Sequence, residues 1–173
     1  KIEQLEKILH YQFSDNSLLE LALTHRSFQG KNNERLEFLG DSILNFIIAE
    51  LLFKKFNSLP EGDLSRLRSQ LVKSETLSEI GILLKLGDYL ILGEGELKSS
   101  GWRRPSILAD SVEAIIGAVF IDGGISAASD LIIDWFKSRI DLINPDNIEK
   151  DSKSILQELL QAKKISLPDY NIV

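Results

Sequence analysis

Three acidic residues, Glu34, Glu37 and Asp41, stand at i, i+3 and i+7 in the segment Asn33-Glu34-Arg35-Leu36-Glu37-Phe38-Leu39-Gly40-Asp41-Ser42. On a helix they share one face, with Glu37 and Asp41 about one turn, roughly 6 Å, apart. Their repulsion costs a few tenths of a kcal/mol (~0.2–0.5) in an isolated helix, and a cation between them removes that cost. A second pair, Asp110 and Glu113, repeats the i, i+3 spacing just ahead of an apolar stripe at Ala114, Ile115, Ala118 and Val119. Two helices crossing with these faces together would gather four carboxylates. An all-oxygen set of that kind selects hard cations such as Mg²⁺ or Mn²⁺ rather than zinc. Two such ions roughly 4 Å apart can activate water and stabilise a leaving oxygen in phosphodiester hydrolysis.

Spacing alone does not separate such a site from solvated surface, which is where charged side chains ordinarily sit. Two glycines bear on the choice. Gly40 adjoins Asp41 and Gly117 follows the second acid pair, and each costs about 1 kcal/mol relative to alanine inside a helix. Glycine is tolerated where two helices must touch closely, and such a contact would bring the acid pairs together.

The elements that must carry these residues read as helices. Ile43, Leu44, Ile47, Ile48, Leu51 and Leu52 recur at three-and-four spacing, and so do Leu64, Leu67, Leu71 and Val72 after Pro60. The Ala114 stripe runs to a breaker, Asp122-Gly123-Gly124, beyond which Ile125 to Ile140 predicts a further helix. Tyr89-Leu90-Ile91-Leu92 is a short apolar run compatible with a strand, but nothing near it in sequence offers a partner. The expected class is all-α. Periodicity stops around 141–153, where Pro145-Asp146-Asn147 marks a turn or linker. It resumes through Ile155, Leu156, Leu159 and Leu160, and Asn171-Ile172-Val173 then reads as the opening of a strand. A helix and one strand make no independent core, so the chain is expected to stop inside a second domain. With no methionine at position 1, its start is expected to be trimmed.

Composition narrows the classes. A length of 173 residues suits one principal domain with a small appendage. No apolar run approaches the ~20 residues that span a bilayer, and residues 1–10 lack the apolar core of a signal peptide. No membrane partner and a cytoplasmic location are therefore expected. The absence of cysteine excludes disulfides, thiolate zinc sites and a cysteine nucleophile. A net charge of −6 argues against nucleic acid as a partner, because phosphate binding is driven by Lys and Arg.

That objection is met by resemblance. The run from Glu34 to Ser42 resembles the signature of ribonuclease III endonucleases. Leu23-Thr24-His25-Arg26-Ser27, Pro60-Glu61-Gly62-Asp63-Leu64-Ser65, and Pro105 through Glu113 to Asp122-Gly123-Gly124 resemble further family motifs in the same order. The likeness spans about residues 1–145 and implies a ribonuclease III-like endonuclease domain there, with a linker at 146–153. By this resemblance Glu37, Asp41, Asp110 and Glu113 correspond to metal ligands, Asp41 and Glu113 being the catalytic ones, and loss of Glu113 most directly disarms the site. Glu34 and Glu61 correspond to accessory acids near the same valley. The family cuts double-stranded RNA with Mg²⁺-activated water in rRNA and mRNA processing, leaving 5′-phosphates, 3′-hydroxyls and short 3′ overhangs. It uses no organic cofactor and works as a homodimer with one site per strand. Phe38, whose ordinary fate as an aromatic would be the core, is by the resemblance a dimer anchor seated in the partner subunit.

The tail from 154 to 173 resembles the first helix and strand of an α+β double-stranded RNA-binding domain. If that domain is cut off, its basic surface is missing from the charge count, and bound metal offsets more. Candidate phosphate contacts are Arg66, Arg68 and Lys73 on one predicted helix, with Lys98, Arg103 and Arg104 in a loop. Duplex RNA is read mostly through shape, phosphates and 2′-hydroxyls, so loose sequence dependence is expected. His25 is read as a structural residue rather than a general base, and His10 more so. Trp102 is a minor candidate for stacking on a nucleotide, and Trp135 is assigned to core or interface. Two rivals are a duplex-binding module that does not cut and a compact ribosomal-RNA-maturation relative without the RNA-binding domain. The six acids argue against the first, and the tail argues against the second.

Overall fold

The computed structural model describes residues 2–145. The expected linker at 146–153 and the start of a second domain at 154–173 lie outside the described residues. By compactness the chain divides into Lys1–Ile143 and Asn144–Val173, and the first of these units carries the acid site.

The described residues form seven α-helices: α1 (Ile2–Leu9), α2 (Asn16–Ala22), α3 (Glu34–Lys55), α4 (Glu61–Leu71), α5 (Ser74–Leu83), α6 (Glu94–Lys98) and α7 (Pro105–Asp141). Local chemistry sets several ends. The Asp15 side chain accepts from the Ser17 amide to cap α2. Pro105 begins α7, where its fixed φ suits the first turn and its missing N–H has no partner to lose. In α3, Glu34 and Glu37 occupy the first turn and Lys54 and Lys55 the last, in the sense that complements the helix dipole.

The core lies where α7 packs on α3 and α5, with α2 against the same long helix. Leu44, Ile47, Ile48 and Leu52 of α3, and Val112, Ile115, Ile116 and Val119 of α7, are all essentially sealed from solvent. By length and composition Pro105–Asp141 is apolar enough to cross a membrane, but in this fold much of that apolar surface is buried in the core.

Three expectations are refined here. The helix expected from Ile125 to Ile140 follows the preceding one directly, because only Gly124 (φ 78°, ψ −173°) leaves helical geometry and the chain resumes at once. A left-handed φ of this kind carries no steric penalty for glycine alone. The kink is tied down by Asp122. Its carboxylate accepts from the Tyr11 hydroxyl at 2.7 Å and from the backbone amides of Ser14 at 2.9 Å and Asp15 at 3.0 Å. The run Tyr89–Leu92 yields a single parallel bridge, Ile91 to Thr24, rather than a strand. Trp135 is buried, with its Nε1 unpartnered among the described residues.

Candidate metal centre

The acid site begins with the crossing of α3 and α7. A Cβ built on Gly40 would lie 1.8 Å from the Glu113 carbonyl oxygen, and one built on Gly117 would lie 2.3 Å from that of Leu36. No side chain fits in either place, so the two backbones touch. Glu37 sits three residues before Gly40 and Glu113 four before Gly117, about one helical turn in each case. The close approach therefore sets their carboxylates face to face.

Oxygens of Glu37, Asp110 and Glu113 all lie within 4.8 Å of one another, and all three side chains are half-buried. The electrostatics follow from this crowding. Glu113 is pushed up to about 8 by burial, then by the charges of Asp41, Glu37 and Asp110. Glu37 is raised by burial and by Asp110 and Glu34, with Arg26 pulling the other way. Asp110 is raised by burial, with His25 and Arg26 opposing. The donors are all carboxylate oxygen, they come from two rigid helices, and their ionised forms are under-compensated. A hard divalent cation fits that set, since it adds the missing positive charge and needs no other ligand type.

Asp41 stands at the rim. It is exposed, its Oδ1 accepts from Asn45 Nδ2 at 2.9 Å, and its charge is the first neighbour acting on Glu113 after burial. Glu34 lines the pocket together with His25, Arg26, Asn33, Glu37 and Asp110. It is held by Asn32 Nδ2 at 3.2 Å and Arg26 Nη1 at 3.7 Å. Glu61 was expected near this valley, but within one chain it lies elsewhere. It accepts from Ser65 Oγ at 2.7 Å and lines a separate depression with Phe46, Phe53, Leu64 and Arg68.

The basic candidates are unequal. Arg66 is paired with Asp63 at 2.6 Å, Lys98 with Glu94 at 3.7 Å and Arg104 with Glu96 at 3.1 Å. Arg68 and Lys73 have no ion pair among the described residues. Arg103 lies 4.2 Å over the Trp102 ring, and that contact occupies a ring face a nucleotide would need. Phe38 is 77% exposed, so within one chain it does not take the core position usual for an aromatic. Sequence reasoning gave no role in the pocket to His25 and Arg26, its two nitrogen-bearing walls beside Asn33. The only available signal was their place in the Leu23–Ser27 motif.

Comparison with known proteins agrees with this geometry. A family model described as ribonuclease-III-like matches residues 15–140. The chain is 56% identical to ribonuclease 3 of Pseudoalteromonas translucida over 99% of its own length and 76% of the relative's. It is 57% identical to ribonuclease 3 of a Marinomonas species over 99% of its own length and 75% of the relative's. Among solved structures, a nuclease domain of ribonuclease III from Campylobacter jejuni superposes with a TM-score of 0.79 at 43% identity, covering 82% of this chain and all of that one. Dicer from Pichia stipitis is a more distant match, with a TM-score of 0.60 at 27% identity over 92% of this chain and 73% of that one. The chain belongs to the ribonuclease III family of double-stranded-RNA endonucleases.

Proposed function

We propose that this chain hydrolyses phosphodiester bonds of double-stranded RNA with a divalent cation, Mg²⁺ or in substitution Mn²⁺, held by Glu37, Asp41, Asp110 and Glu113. The observation that carries this reading is the convergence of three half-buried carboxylates from α3 and α7 within 4.8 Å. When bound, the cation supplies Lewis-acid chemistry, making water nucleophilic near neutral pH and offsetting charge on the phosphate oxygens.

The chain's own residues supply the rest. Glu113, pushed up to about 8, is protonated at neutral pH in the metal-free protein and gives up that proton as a cation enters, because carboxylate ligands bind ionised. Glu37, Asp110 and Asp41 complete the ligand set on the two facing helices, Asp41 from the rim, where Asn45 orients it. Glu34 stands beside them, oriented by Asn32 and Arg26, where it can hold water or meet the sugar–phosphate backbone. No side chain need act as a covalent nucleophile. Of the basic candidates, Arg68 and Lys73 reach a phosphate without giving up an ion-pair partner, Arg103 by leaving Trp102, and Arg66, Lys98 and Arg104 by exchanging a carboxylate for it.

The same proposal includes a homodimer anchored by Phe38, one site per strand, 5′-phosphate and 3′-hydroxyl products with short 3′ overhangs, and a cytoplasmic role in RNA processing. It also includes a domain layout of nuclease to residue 145, linker at 146–153 and the start of an RNA-binding domain beyond. The experiment is cleavage of labelled duplex RNA at low salt with Mg²⁺ or EDTA, against the single strand of the same sequence. Cutting of the duplex alone, abolished by EDTA, is expected. A salt-sensitive gel shift without cutting would replace the proposal by a binding module.

A further inference from the structure

His25 is buried, with 8% of its surface exposed, yet it lines the acid pocket beside Glu37 and Asp110. The segment that carries it is clasped from two sides. The His25 amide donates to Ile91 O at 3.0 Å and the Asn33 amide to Thr24 O at 2.8 Å. Two residues beyond Ile91, Gly93 packs so closely that a Cβ there would lie 2.1 Å from the Ser27 carbonyl oxygen.

This clasp determines where the imidazole proton sits. The Gly93 amide donates to Ser27 Oγ at 2.9 Å, which leaves the hydroxyl proton free to donate onward. Ser27 Oγ lies 2.9 Å from His25 Nδ1, and the Ser27 amide donates to the same nitrogen at 3.2 Å. An amide N–H can only donate, so Nδ1 carries its lone pair and accepts. In the neutral ring the proton is then on Nε2. Among the described residues Nε2 has no hydrogen-bond partner, and it is not among the buried side-chain atoms left without one. The donor therefore remains open to the pocket.

We propose that His25 is a positioning residue of the metal centre. Locked with its proton on Nε2, it presents a fixed donor to the Asp110 carboxylate through one water, and keeps that group's ligand oxygen turned toward Glu37 and Glu113. A carboxylate held by a donor outside the metal set is a recurring way of orienting a ligand, and a bridging water serves nearly as well as a direct bond. Ser27 and Gly93 then act one step further out, by fixing the tautomer.

The inference rests on the metal reading above, and the experiment separates the two. Mn²⁺ binding is measured by electron paramagnetic resonance on RNA-free protein for the wild type, His25→Ala, His25→Gln and Ser27→Ala, with melting in EDTA as the fold control. Imidazole ¹⁵N shifts of the wild type report the tautomer. The expected result is a proton on Nε2, Mn²⁺ binding weakened roughly 10- to 100-fold in His25→Ala, most of it restored in His25→Gln, and a smaller loss in Ser27→Ala. A wild type that binds no Mn²⁺ overturns the metal reading and this inference with it. A wild type that binds, with a proton on Nδ1 or with folded His25→Ala binding equally well, overturns the inference alone. If His25→Ala does not fold, wild-type Mn²⁺ affinity in Ser27→Ala overturns it.

Discussion

On one side of α3, Glu37 meets Asp110 and Glu113 across a crossing so tight that neither Gly40 nor Gly117 has room for a Cβ. Along another side of the same helix Phe38, Phe46 and Phe53 stand 77%, 60% and 71% exposed. The two surfaces share a backbone and differ in what completes them. The acid side is assembled within one chain and lacks only positive charge. The aromatic side lacks apolar cover, and single exposed apolar residues are ordinary on soluble proteins, whereas a row on one helix marks an interaction surface. On the reading proposed above, chemistry and assembly are divided between faces of one helix, so each can be disturbed separately.

The sharpest break in that comparison is Glu113→Gln. It keeps shape and removes a ligand charge, so Mg²⁺-supported cleavage should fall by orders of magnitude while the melting temperature in EDTA holds or rises. Near-normal turnover in single-turnover assays would remove Glu113 from the site. Next is Gly40→Ala, whose methyl group falls on a backbone carbonyl that cannot step aside. Overpacking of this kind costs about 1–3 kcal/mol or more, read as a lower denaturation midpoint, and it should weaken metal binding by separating the acids. An unchanged midpoint would mean that the crossing is looser than it stands here.

Phe38→Asp addresses the other face. Burying one phenylalanine contributes about 1.5–3 kcal/mol, and a two-fold interface holds two such rings. The dimer should then weaken at least roughly a hundredfold, with each monomer still folded. Light scattering that finds an unaltered dimer would move the anchor elsewhere. The remaining effect is on pH. The Glu113 carboxyl is raised in the folded state to about 8, so its contribution to stability is complete below its ordinary pKa near 4.5 and is lost as pH rises through about 8. Metal-free protein should become easier to denature across that window, and saturating Mg²⁺ should flatten the trend. A metal-free stability that rises steadily from pH 5 to 8 would contradict the assignment.

What the sequence made legible follows from distance along the chain. The acid spacing and the two glycines are consequences of helical period, so the convergence of Glu37 with Asp110 and Glu113 could be anticipated. The continuation of α7 through Asp122-Gly123-Gly124 could not. Two glycines ordinarily end a helix, and here Asp122 is held by residues 11–15, more than a hundred positions away. Among the described residues the run Tyr89–Leu92 is bridged to Thr24, also remote. His25 reads as structural and is buried and hydrogen-bonded, but its link through Ser27 to Gly93, 66 residues from Ser27, could not be read from the sequence. Glu61 matched a motif, and within one chain it lies beside Phe46 and Phe53, away from the acid pocket.

The paired glycines also separate two kinds of inheritance. Each is confined by the other helix's main chain, so neither can change alone without forcing the helices apart, and both must persist for as long as the architecture does. The carboxylates carry no such architectural constraint, since removing one relieves repulsion. A descendant of this chain that abandons catalysis should therefore shed its acids early and keep Gly40 and Gly117, leaving the glycines as a record of ancestry and the acids as a record of use.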